Sequence, residues 1–249
     1  MRARRSEMEL GYGSEYQLFR CLGHHRHEFD GLIRSSLGIH RASCIDWLDF
    51  PADHSRRSGD GEWKSIQCFR CRLQMSEYER LEEKWRGYWP SVNMAMNWDA
   101  VFRAADVWYF VEAKAHVSEM ESKGCGARDG SLAMIRNALD QAREGLFSGR
   151  AAKPWYGGAA DLSYQLANRL AFLWFCQGIA KVDARIVYLE FLNGYNSGDL
   201  DLSVRNNREW DEAWKEQWRR LGIPEELGNE KVSRISIDCK KIGMEERHR

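Results

Sequence analysis

The chain carries no excess charge of either sign, since 37 basic residues are matched by 37 acidic ones. Global attraction to a polyanion is therefore excluded, and any phosphate-binding surface has to be a local patch. Long apolar runs are also missing. The longest, Leu170–Cys176, falls well short of the roughly 20 residues that cross a bilayer. The basic start MRARR is not followed by an apolar stretch of the kind a secretory leader carries. No Walker loop or GxGxxG opens a helix after a strand, which argues against nucleotide-cofactor chemistry. Seven cysteines without regular spacing do not describe a disulfide framework. Internal repeats and low-complexity tracts are absent. These absences lead to the expectation of a cytoplasmic protein in a reducing compartment, with no membrane partner.

What is present is a core. Of 249 residues 43% are hydrophobic and eleven are Trp, enough to build one large domain. Residues 1–249 are read as that domain, with 42–90 inserted before a central hairpin and 240–249 as a flexible tail. Helical patterns cover Ser14–Leu22, His27–Ser36 and Ser76–Arg86. Further ones start near Ser131, ending about Phe147, and cover Leu162–Gln177 and Arg208–Leu221, the last closed by Gly222 with Pro224 beyond. Glu62–Leu73, Ile186–Leu192 and Ser233–Cys239 read as strands, and Ala42–Phe50 as a strand or connector. This order predicts an α/β fold, a mixed β-sheet flanked by helices on both faces.

The most informative stretch is Asn97–His116, NWDAVFRAADVWYFVEAKAH. Val107–Val111 is β-branched and aromatic without interruption, the pattern of a strand buried on both faces. It runs straight into Glu112 and Lys114, which share a face because strand side chains alternate with period two. Asp99 lies in the preceding run, and Arg103–Asp106 contain the turn. Two loop residues would set Asp99 directly opposite Glu112 and four would set it on the diagonal, within roughly 5–8 Å either way. Two carboxylates and an ammonium at the end of a buried strand require pairing. A divalent cation would supply it.

This spacing resembles the PD-(D/E)XK nuclease superfamily, whose motif is an acid on one strand, a variable gap, then acid–x–lysine on the next. Here those positions are Asp99, Glu112, Ala113 and Lys114, with Trp98 where the family motif has proline. The resemblance implies a restriction-endonuclease-like fold and hydrolysis of phosphodiester bonds, DNA foremost. It also implies magnesium, or manganese, held by Asp99, Glu112 and the backbone carbonyl of Ala113, with Lys114 positioning the attacking water. Glu15 falls where superfamily members often carry a glutamate in the first core helix, though an acid at a helix start needs no further reason. His116 continues the face of Glu112 and Lys114 and reads equally as a plain strand-end histidine. Gln165 and Asn168 lie off the apolar stripe of their helix and face either the site or, the favoured reading, water.

The tripeptide alone is weak, since Glu–x–Lys occurs four times. Asp49, Glu62 and Lys64 form the one rival set, separated by a long polar loop. Cys68 and Cys71 have the spacing of half a zinc site that His24, His25 or His27 would have to complete. The stretch His54–Arg72 interleaves basic and aromatic residues, as a nucleic-acid surface or a solvated loop does. Trp210, Trp214 and Trp218 form a stripe that reads as core. The competing function is a non-catalytic module on the same fold, binding nucleic acid or a protein, with a second copy of the chain as a further partner.

Overall fold

The computed structural model describes residues 13–49, 62–90, 96–195 and 202–242. Its centre is a five-stranded mixed sheet in the order β1-β4-β5-β6-β7. The strands are β1 (Ile45–Trp47), β4 (Ala100–Ala104), β5 (Val107–Lys114), β6 (Ala184–Leu192) and β7 (Val232–Asp238). β1, β4 and β5 are joined antiparallel, and β5, β6 and β7 run parallel. A second, two-stranded sheet pairs β2 (Trp63–Lys64) with β3 (Asn97–Trp98).

Parallel neighbours need long crossovers, and helices supply them here. α4 (Asp129–Phe147) and α5 (Tyr164–Trp174) lie between β5 and β6; α6 (Asn207–Leu221) and α7 (Glu225–Lys231) lie between β6 and β7. α1 (Ser14–Gly23) and α2 (Arg26–Leu37) precede the sheet, and α3 (Met75–Tyr88) follows β2. Because β5 alternates, Tyr109, Val111 and Ala113 join the core under α1 and α2, while Trp108 and Phe110 join the larger core built with α3 to α6. Helices therefore cover both faces. The period of two also puts Glu112 and Lys114 on the side of α4 and α5.

Several local expectations are corrected by tertiary context. Ile45–Trp47 pairs with β4 in the main sheet, so the insertion read over 42–90 does not include this segment. Glu62–Leu73 is a strand for two residues only, then turns into a 3-10 helix, Gln67–Cys71, that buries Cys68 and Phe69. The helix expected to run to Gln177 ends at Trp174 and continues as a π-turn, Phe175–Ala180. Asp49 is exposed and Lys64 is exposed, so the rival Asp49/Glu62/Lys64 set does not converge. Cys71 is exposed while Cys68 is buried with its thiol pushed well up by burial. Among the described residues no group of three or more His, Cys, Asp or Glu is arranged to hold a metal by itself. No helix is long and apolar enough to cross a membrane among them. Residues 54–61, with Arg56 and Arg57, and most of the tail lie outside the described residues.

The tryptophan stripe of α6 is core, as its spacing suggests: Trp210, Trp214 and Trp218 are all buried. Trp214 donates its indole N–H to the buried carboxylate of Glu190 at 2.6 Å. Arg234 and Ser236 complete the shell of that acid.

The β4–β5 connection is a two-residue loop, with Ala104 paired to Val107. Ala105 has φ 53, and Asp106 is not in the positive-φ region, the pattern of a type II′ turn that prefers glycine first. Ala105→Gly is therefore expected to stabilise the chain by about 0.5–1 kcal/mol, read from the urea midpoint at unchanged slope.

Candidate functional site

Asp99 sits where the chain changes partners. Before it, β3 pairs with β2; after it, β4 pairs with β5. Ala100 pairs with Val111, and the Asp99 N–H donates to the carbonyl of that same Val111 at 3.1 Å, so the regular ladder stops at Asp99. Glu62 immediately precedes Trp63, the partner of Trp98, and Glu112 lies within β5. Three carboxylates, Glu62, Asp99 and Glu112, come together at this break. They line a cavity of about 420 Å³ together with Asn97, Ala113, Lys114, Gln165, Asn168 and Arg169.

Each acid is held differently. Asp99 is half-buried, and its Oδ2 accepts the Ala113 N–H at 2.7 Å. Its other oxygen accepts no hydrogen bond among the described residues. Glu112 is only 3% exposed, and both its oxygens are engaged. Oε1 accepts from Lys114 Nζ and Gln165 Nε2, each at 2.8 Å. Oε2 accepts from Arg169 Nε at 2.9 Å and lies 2.8 Å from Nη2. Glu62 accepts from Asn97 Nδ2 at 2.6 Å.

The electrostatics follow. Burial would raise the Glu112 carboxyl, but Arg169 and Lys114 together hold it below its ordinary value. Burial would also lower the Lys114 ammonium; Glu112 and then Asp99 outweigh it and hold the ammonium above its ordinary value. Lys114 is therefore a cation at neutral pH and cannot serve as a general base there. Asp99 goes the other way. Burial, followed by the neighbouring charge of Glu112, pushes its carboxyl up to about 8.

The structure brings Asp99, Glu112, Ala113 and Lys114 to one cavity, together with Gln165 and Asn168, a pair that sequence reasoning favoured for water over the site. It does not bring Glu15 or His116. Glu15 is exposed in the first turn of α1; its neighbour Ser14, not Glu15, lines the cavity. His116 follows the end of β5, where Val117–Met120 turns as a 3-10 helix; its ring accepts from the Ser118 N–H as a cap. Sequence reasoning missed Arg169 and the place of Glu62. A signal for Arg169 was present: a guanidinium directly before the apolar run Leu170–Cys176, four residues after Gln165 on the same helix face, needs a counter-ion if that part of the helix is buried.

A divalent cation fits this donor set in one way. Magnesium binds through one or two carboxylates and keeps several waters. Asp99 offers an open oxygen and Glu62 faces the same cavity, while Glu112 is already saturated by nitrogen donors. No protein-family model, curated protein or solved structure matches the chain. The geometry alone carries the argument.

The raised Asp99 carboxyl sets a pH dependence for the metal-free protein. Between about pH 4 and pH 8 the folded state holds a proton that the unfolded chain has released. Stability is thus lost as pH rises through that window, and fully so above it. Asp99→Asn keeps an acceptor for the Ala113 N–H and removes the charge. Its melting temperature in chelator is expected to match the parent near pH 4 and to exceed it by several degrees at pH 8, at about 2–4 °C per kcal/mol. An equal difference at both pH values would contradict the assignment.

Proposed function

We propose that the chain is a metal-dependent nuclease that hydrolyses phosphodiester bonds, DNA foremost, on a restriction-endonuclease-like fold. The observation that carries this reading is the convergence of Asp99, Glu112 and Lys114 in one polar cavity at the end of a strand otherwise buried on both faces. Fold alone would not support it, since one architecture hosts many activities. The mixed sheet with an antiparallel hairpin at the acids is compatible in outline with the resemblance.

Magnesium, when bound, would polarise the scissile phosphate and lower the pKa of a coordinated water. The chain's own residues do the rest. Asp99 offers its open oxygen to the cation. Lys114, kept protonated by Glu112, places a positive charge beside the cavity, where it orients water and stabilises the charge that builds on phosphate oxygens. Gln165 and Arg169 hold the Glu112 carboxylate in place. Attack comes from water directly.

A second reading is favoured by one specific feature, the saturation of Glu112. A buried acid compensated by Lys114, Arg169 and Gln165 is also what a non-catalytic module would build to hold β5 to α5, and such a module would bind nucleic acid or protein through other surfaces.

Single- and double-stranded DNA and RNA incubated with the purified protein and Mg²⁺ or Mn²⁺ separate the two. The nuclease reading expects cleavage that stops in chelator and falls by at least about 100-fold in Asp99→Ala and in Lys114→Ala, with circular dichroism unchanged. Cleavage that survives both substitutions removes these residues from the mechanism. Nucleic-acid binding that is equal in the parent and in Asp99→Ala, with no cleavage by either, favours the binding module.

A further inference from the structure

Arg169 makes more contacts than compensation of one acid requires. Its Nε and Nη2 hold Glu112 Oε2, Nη2 also donates to the Asn97 carbonyl at 2.6 Å, and Nη1 donates to Asn168 Oδ1 at 2.8 Å. The guanidinium carbon lies 4.8 Å from the centre of the Trp98 ring. Its side chain is 5% exposed. Asn97 and Trp98 are the two residues immediately before Asp99, so this one side chain ties α5 both to the strand that carries Glu112 and to the segment that carries Asp99. It is a strut between the two acids. Four of its five N–H donors face fixed protein acceptors, and its planar fork cannot be replaced by the point charge of a lysine.

We propose that Arg169 is a positioning residue that divides the labour of the two acids, fixing Glu112 as the counter-ion of Lys114 so that Asp99 alone of the pair meets the metal. The inference rests on the nuclease reading of the same cavity. It follows from lone-pair accounting: Glu112 Oε1 takes two donors and Oε2 takes the edge of a guanidinium, whereas Asp99 takes one donor on one oxygen. A cation that bound Glu112 directly would have to displace Lys114 or Gln165 from Oε1 or the Arg169 edge from Oε2. On the open oxygen of Asp99 it displaces no protein donor.

The test is calorimetric titration of the full chain with Mn²⁺. Glu112→Gln alone is ambiguous, because it leaves Arg169 as an uncompensated cation that repels the metal whether or not Glu112 is a ligand. The paired variant Glu112→Gln/Arg169→Gln removes one charge of each sign and keeps an amide-to-amide contact in place of the ion pair. Its Mn²⁺ dissociation constant is expected to stay within about threefold of the parent, while that of Asp99→Asn weakens at least about tenfold. Arg169→Lys, which keeps the charge and loses the fork, is expected to bind Mn²⁺ within the same threefold margin while its cleavage rate falls at least about tenfold.

A paired variant weakened as much as Asp99→Asn would overturn the proposal and make Glu112 a ligand, leaving the nuclease reading intact. An Arg169→Lys protein that cleaves at the parental rate would overturn it too, since charge without the fork would then suffice. If the parent chain neither binds Mn²⁺ nor cleaves, the nuclease reading itself fails and this inference with it. Thermal melts of each variant in chelator identify any that do not fold. Should the paired variant be one of them, Glu112→Gln/Arg169→Met, which keeps the side-chain volume, takes its place.

Discussion

Burying Glu112 is the constraint on which the candidate site depends. A carboxylate that is 3% exposed at the end of the central strand is strongly destabilising unless its charge is matched and its lone pairs are filled. Lys114 fills one position from the same strand, Gln165 and Arg169 fill the others from α5. Removing the Glu112 charge would leave Lys114 and Arg169 buried without their shared counter-ion, at a cost of about 3–5 kcal/mol. The demand for compensation thus binds α5 to β5 by polar contacts at the end where the apolar core stops. It also holds open a cavity whose walls are polar.

The same logic is repeated one strand away. Glu190 is paired in register with Lys114 across β5 and β6, and it too is buried, satisfied by Trp214, Arg234 and Ser236. Arg234 reaches on to Asp211 at 2.9 Å, which ties β7 to α6. Two acids on one face of one sheet are each neutralised by their own set. Asp99 differs from both. It has no ion pair among the described residues, one hydrogen bond, and a carboxyl pushed up to about 8.

Glu62 enters this cluster through pairing rather than through its own segment. It immediately precedes β2, which is two residues long and held by the antiparallel partner that leads into Asp99. A short ladder on one side and a long one on the other meet at Asp99. The change of partner leaves Asp99 at a break in the sheet, and its carboxylate turns to the Ala113 N–H instead of to solvent.

How much of this was legible depends on whether a local period or a distant partner decided it. The run VWYFV, the shared face of Glu112 and Lys114, the helical stripes and the Gly222 stop follow from periodicities of two and 3.6 and from backbone preferences of single residues. They are properties of the chain, and the structure has them. The loop of the hairpin was narrowed to two lengths; closure at Ala105 and Asp106 chose the shorter, while Asp99 donates its N–H to Val111 where a regular ladder would have paired it with Glu112. By contrast, Ile45–Trp47 joining the main sheet, Glu62 joining Asp99 in one cavity, His116 turning away into a cap and Arg169 reaching Glu112 are outcomes of contacts between segments far apart in the chain. No local pattern contains them, because whether a short polar segment pairs, caps or clamps is settled by what packing brings beside it. Composition and period settle which residues carry charge into the core; packing settles which of those charges meet a counter-ion, since cancellation is a matter of distance in three dimensions.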